Sequence, residues 1–162
     1  MCSKWPSSGG AVFTLVYGSR ESARVFDAII RPAEAGRRLV EQVAVEQDLT
    51  DNWRNGAVKQ FLSPFDQRHP FPADEFEPGL QISIPTANYL LAFKLKAARP
   101  ALIGYSGDEP DLRFLLPKIK PLNIETVDDI YERFFSGETP HEFSRKMAEG
   151  ILGELEPRED QK

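Results

Sequence analysis

At 162 residues, with 28% charged and 41% hydrophobic side chains, the chain is sized for one domain burying about 70% of its unfolded surface. Its net charge of −5 and pI near 5.1 argue against a surface covered in non-specific phosphate contacts but leave room for a local basic groove. Cys2 is the only cysteine and His69 and His141 stand far apart, which excludes an internal disulfide framework and a multi-cysteine zinc site and disfavours a histidine-rich one. No apolar run approaches the ~20 residues of a membrane span, and the N-terminus lacks an apolar signal core, so the expected compartment is cytoplasmic.

In chain order, Gly9-Gly10 open an apolar run from Ala11 to Tyr17 that Gly18 closes; its β-branched and aromatic content leaves helix and strand both open. Arg24 to Ile30 is β-branched and aromatic, is stopped by Arg31-Pro32, and reads as a strand. Ala33 to Asp48 reads as a helix whose inner stripe is Leu39, Val40, Val43 and Gln47. A turn at Thr50-Asp51-Asn52 leads into a short helix from Trp53 to Leu62. From Ser63 to Gly79, Pro64, Pro70, Pro72 and Pro78 impose a loop, and Phe65, Phe71 and Phe76 should hold it against the body.

Leu80 to Ile84 alternates as a strand, and Thr86 is placed to cap the helix that follows. Three more helices are expected near Asp111–Ile119, Val127–Phe135 and Pro140–Leu155, with Thr126 and Thr139 as N-caps and Pro140 in the first helical position. Residues 156–162 form a charged tail that should fray. Residues 1–155 are taken as a single α/β (α+β) domain, a mixed first half followed by a helical second half.

The helix after Thr86 holds the most informative residue. Lys94 has Leu90, Leu91, Ala97 and Ala98 three and four positions away, so its ammonium starts from the face that should pack inward. Lysine is almost never fully buried unpaired. Asp108 and Asp111 open the next helix. Capping and the helix dipole account for Asp108, whereas a Lys94–Asp111 ion pair accounts better for Asp111. The alternative for Lys94 is a stem lying on apolar surface with its head in water.

Several segments taken together resemble the bacterial nucleotidyltransferase-fold family related to AbiEii-type toxins. They are Gly9-Gly10 with Tyr17-Gly-Ser-Arg20, Arg24-Val-Phe-Asp27, Asp48 to Ala57 with Trp53 and Asn55, and Leu90 to Arg99 with Lys94 and Asp108-Glu-Pro-Asp111. Leu122 to Ile130 and Phe134-Phe135 are similar to its C-terminal helices. The resemblance spans residues 9 to 155.

It implies a nucleotidyltransferase-like small mixed sheet followed by helices. It also implies Mg2+-assisted transfer of a nucleoside monophosphate from NTP to RNA or protein in a toxin–antitoxin-like setting. Asp27 would hold the metal, and Gly9, Gly10, Arg20 and Arg24 would meet nucleotide phosphate. Lys94 would stabilise developing charge, and Asp111 would orient Lys94. One departure bears on activity. The family carries two aspartates spaced i, i+2 on its strand, where both face one side and clamp a cation; this chain has Val25 in the first of those positions. The resemblance therefore also admits an impaired member that binds a nucleotide or an antitoxin-like protein. A homodimer or a partner covering the Arg24–Ile30 strand edge is a further expectation.

Overall fold

The computed structural model describes residues 3–6, 26–27, 33–49, 54–55, 61–65, 67–70, 80–98, 100 and 107–155. Among them lie five strands, β1 (Ser3–Pro6), β2 (Phe26–Asp27), β3 (Arg54–Asn55), β4 (Arg68–Pro70) and β5 (Leu80–Pro85). The five helices are α1 (Ala33–Glu46), α2 (Ala87–Ala97), α3 (Glu109–Ile119), α4 (Ile124–Phe134) and α5 (Glu142–Leu155). This is a mixed α+β chain. Backbone contacts divide it into two compact units, one of residues 1–62 with 67–86, the other of residues 63–66 with 87–162.

The first unit contains a three-stranded sheet in the order β1-β5-β4 and a two-stranded sheet of β2 and β3. β1 runs parallel to β5, Ser3 opposite Leu80 and Pro6 opposite Ser83. Sequence reading misses β1, because a short segment holding Ser3, Lys4 and Pro6 around Trp5 shows no alternation. β4 is antiparallel to β5, with His69 opposite Ile84, inside the stretch expected to be loop. Its proline is compatible with pairing because β4 is an edge strand, where a missing N–H on the outer side costs no ladder bond. Phe65 is exposed rather than packed down.

β2 lies within the expected Arg24–Ile30 strand and pairs in parallel with β3, Phe26 opposite Arg54 and Asp27 opposite Asn55. Over those two residues the strand has an intramolecular neighbour. Arg54 and Asn55 were expected in a helix. Asp51-Asn52 before them and Asn55-Gly56 at their end are turn-forming pairs that compete with helical bonding, leaving too short a run to propagate.

α1 forms as expected but ends at Glu46, and Asp48 takes a left-handed conformation (φ 50°) just beyond it. Val40 and Val43 are half-buried, whereas Leu39, 40% exposed, and Gln47 fall outside the inner stripe. Glu34 holds Arg37 and Arg38 along the outer face. The 11–17 run, the 50–52 turn, Trp53, Phe71, Phe76 and the 156–162 tail lie outside the described residues.

The second unit is a cluster of four helices around α2, which packs on α3, α4 and α5. Every residue from Tyr89 to Leu95 is buried, so the middle of α2 is enclosed on all sides. Ser63 fastens the Ser63–Phe65 segment to the same core. Its N–H donates to the Tyr89 hydroxyl at 3.2 Å, its Oγ donates to the Phe134 carbonyl, and that Oγ accepts from the Phe65 N–H at 2.9 Å. Tyr89 and Phe134 stack at a tilt, 5.1 Å between centroids.

Two helix starts differ from expectation. Asn123, not Thr126, caps α4, accepting from the Thr126 N–H and hydroxyl at 2.9 and 2.7 Å. α5 begins at Glu142, leaving Thr139 and Pro140 outside it, and His141 Nδ1 accepts from the Phe143 N–H at 3.2 Å. Asp128 takes a two-pronged contact from Arg145 that ties α4 to α5.

Candidate functional site: a buried lysine between two aspartates

Apolar residues set the position of Lys94. Leu90, Leu91 and Leu95 have no exposed surface, and they place the lysine stem in the same dry layer of α2. Lysine enters such a layer only when carboxylates meet it. α3 supplies two. Lys94 Nζ lies 2.7 Å from Asp111 Oδ2 and 2.9 Å from Asp108 Oδ1, with Lys94 7%, Asp108 3% and Asp111 1% exposed.

The geometry before α3 explains why Asp108 serves this cluster rather than the helix start. Gly107 adopts φ 73°, a conformation that a side-chain-bearing residue reaches only with strain, and the chain then enters Asp108 at φ −98°, ψ 0°. That backbone is not the extended geometry of a capping aspartate, and the Asp108 side chain makes no cap hydrogen bond. Its carbonyl begins the helix instead, accepting from Asp111 N at 3.1 Å and Leu112 N at 3.3 Å. Pro110 in the first turn sacrifices no bond, since the N–H groups there have no intrahelical partner.

The electrostatics follow from these distances. Burial pushes the Lys94 ammonium downward, but Asp111 and Asp108 together outweigh it, and the group ends above the ordinary lysine value. Lys94 is therefore a permanently charged centre at neutral pH. A second cation of α2, Lys96, faces outward to Glu138 at 2.7 Å and lies over the Phe135 ring at 4.2 Å.

The expected Lys94–Asp111 pair is present, and Asp108 is the member that sequence reasoning missed. Its signal was there: aspartates three apart at a helix start lie one turn from each other and can both face one cation. Helix capping had already accounted for the first of them. Of the other expected site residues, Asp27 is placed only by its backbone, in β2 opposite Asn55. Gly9, Gly10, Arg20, Arg24 and Val25 lie outside the described residues. Among the described residues no three histidine, cysteine, aspartate or glutamate side chains gather as a metal site. Asp108 and Asp111 direct their carboxylates at an ammonium, so this cluster does not fit Mg2+. No helix among the described residues is long and apolar enough to cross a membrane. Comparison of the chain with protein-family models, with curated proteins and with solved structures returns no match.

Proposed function

We propose that the chain is a nucleotidyltransferase-like protein of impaired catalytic power, which binds a nucleoside triphosphate and acts through an antitoxin-like protein partner. One observation carries the reading: a lysine is held charged inside an apolar helix layer by two aspartates. Apolar residues of similar volume would fold this layer at least as well, so the charges need a reason beyond stability. The resemblance supplies one, because it assigns Lys94 and Asp111 to the nucleotide chemistry.

In this reading Asp27 and the nucleotide's own phosphates hold Mg2+. Gly9, Gly10, Arg20 and Arg24 meet the phosphates. Lys94 is the residue that the resemblance assigns to developing charge, and Asp111 the residue that orients it. Val25 is the source of the impairment: Mg2+ demands near-ideal octahedral oxygen ligation, and a valine removes one carboxylate from the clamp. A thousandfold loss of rate, roughly 4 kcal/mol of barrier, is the expected scale.

The test is incubation with labelled NTPs, Mg2+ and total RNA, alongside calorimetric titration of each NTP with and without Mg2+. The expected result is NTP binding with little labelling by the natural chain and strong labelling by Val25→Asp. Robust labelling by the natural chain, unchanged or reduced in Val25→Asp, would show that the catalytic carboxylates lie elsewhere. Absence of NTP binding would remove the nucleotide from the reading altogether.

A further inference from the structure

Within the helical unit, the C-terminal ends of α3 and α5 enclose an apolar groove of about 420 Å³. Leu116 and Pro117 of α3, Pro121 and Leu122 of the link to α4, and Leu152 and Leu155 of α5 line it, with Lys120 its one charged lining residue. We propose that this groove docks an amphipathic helix of a partner protein, with leucine-type side chains filling the groove and a carboxylate facing Lys120.

Three observations carry the assignment. Leu122 is 90% and Leu155 48% exposed, whereas the leucines of α2 and α3 are enclosed, so two exposed leucines meet at this groove. Pro117 and Pro121 fix φ on one wall, so the groove keeps its shape without a ligand. Small-molecule sites need several converging polar groups, which this lining lacks; a groove between two helix ends instead matches the ridge of a third helix.

Charge then selects the partner. The groove offers a cation, Lys120, to a carboxylate of the partner. The neighbouring carboxylate Glu154 is already engaged by Arg113 at 2.6 Å. Lys120 also stands where glycine is usual. It closes α3 in the left-handed conformation, φ 53° and ψ 52°, its N–H donating to the Leu116 carbonyl at 2.8 Å.

That conformation provides a clean test. Lys120→Gly suits the left-handed backbone and removes the side chain, stem and charge together. It should therefore raise the melting temperature while weakening docking, and Lys120→Glu isolates the sign of the charge. Two fluorescein-labelled amphipathic peptides of about five helical turns, alike in their leucine stripe but flanked by glutamate or by lysine, would be titrated into the full chain by anisotropy. The expected result is at least tenfold tighter binding of the glutamate peptide, loss of about tenfold (1.4 kcal/mol) in Lys120→Gly, and reversed preference in Lys120→Glu. Leu122→Ser, on a side chain already in solvent, should weaken binding of either peptide. Failure of both peptides to bind at millimolar concentration would overturn the proposal, as would equal binding of the two that ignores Lys120. Sedimentation showing a dimer that Leu122→Ser dissolves would assign the groove to a second copy instead.

Discussion

Lys94, Asp108 and Asp111 respond unequally to truncation because one cation serves two anions. Asp111→Ala leaves Lys94 with Asp108 at 2.9 Å, whereas Lys94→Met leaves two buried carboxylates with no ammonium between them. Breaking a buried pair by removing one partner costs about 3–5 kcal/mol, and stranding two anions belongs at the upper end of that range. Lys94→Met is therefore expected to be more destabilising than Asp111→Ala, the reverse of the order that a one-to-one pair would give. Urea unfolding of the two variants measures the order directly. A milder Lys94→Met would mean that solvent reaches both aspartates once the lysine is gone. The triple change Lys94→Met, Asp108→Asn, Asp111→Asn should recover much of the loss, since no uncompensated charge remains.

At the scale of elements, helix α4 separates two threonine and asparagine roles that look alike in sequence. Asn123 accepts the Thr126 N–H, so Asn123→Ala should cost about 0.5–2 kcal/mol. Thr126→Ala removes only a hydroxyl that donates to the same oxygen and should cost less; thermal melts of both variants check the ranking. The expected cap fell three residues late because Asn123 and Thr126 both suit that role, and φ and ψ, which decide between them, are invisible in a sequence. Elsewhere the helices were legible from apolar spacing, α1, α2, α3 and α5 all lying where periodicity puts them. β5 was legible from its alternation. β1, β3 and β4 were not, because strands of two to four residues show too little alternation and owe their pairing to β5 and β2, which for β1 and β3 lie far away in sequence. At the site, Lys94 was legible from the apolar residues around it. The full cluster was legible only in part: the three-residue spacing of Asp108 and Asp111 was visible, but the backbone bend at Gly107 that turns Asp108 from the helix start to the lysine was not.

For the whole molecule, the charged core sets an alkaline limit on stability. Lys94 is raised above its ordinary value, so its contribution is complete below about pH 10.4 and is lost as pH climbs through its folded value. Tyr131 acts in the same direction: burial, aided by Glu138, pushes its phenol up to about 12, so the unfolded chain ionises first. These two groups should leave the melting temperature level from pH 7 to about pH 10 and lower it beyond. Tyr131→Phe keeps the ring that packs 5.0 Å from Phe135 and should flatten part of that decline. An identical slope in Tyr131→Phe would remove the phenol from the account.

The parallel pairing of Ser3 with Leu80 also sets a timetable for biosynthesis. β1 leaves the ribosome 77 residues ahead of the strand it pairs with, Ser3 against Leu80. At about 5–20 residues per second the wait is roughly 4–15 s, during which Trp5 and its neighbours have no native strand to pair with. The helical unit faces no such delay, since apart from Ser63–Asp66 its residues are consecutive from Ala87 onward. Nascent chains stalled before Leu80 would therefore carry β1 as an open edge, the stage at which a holdase has most to cover.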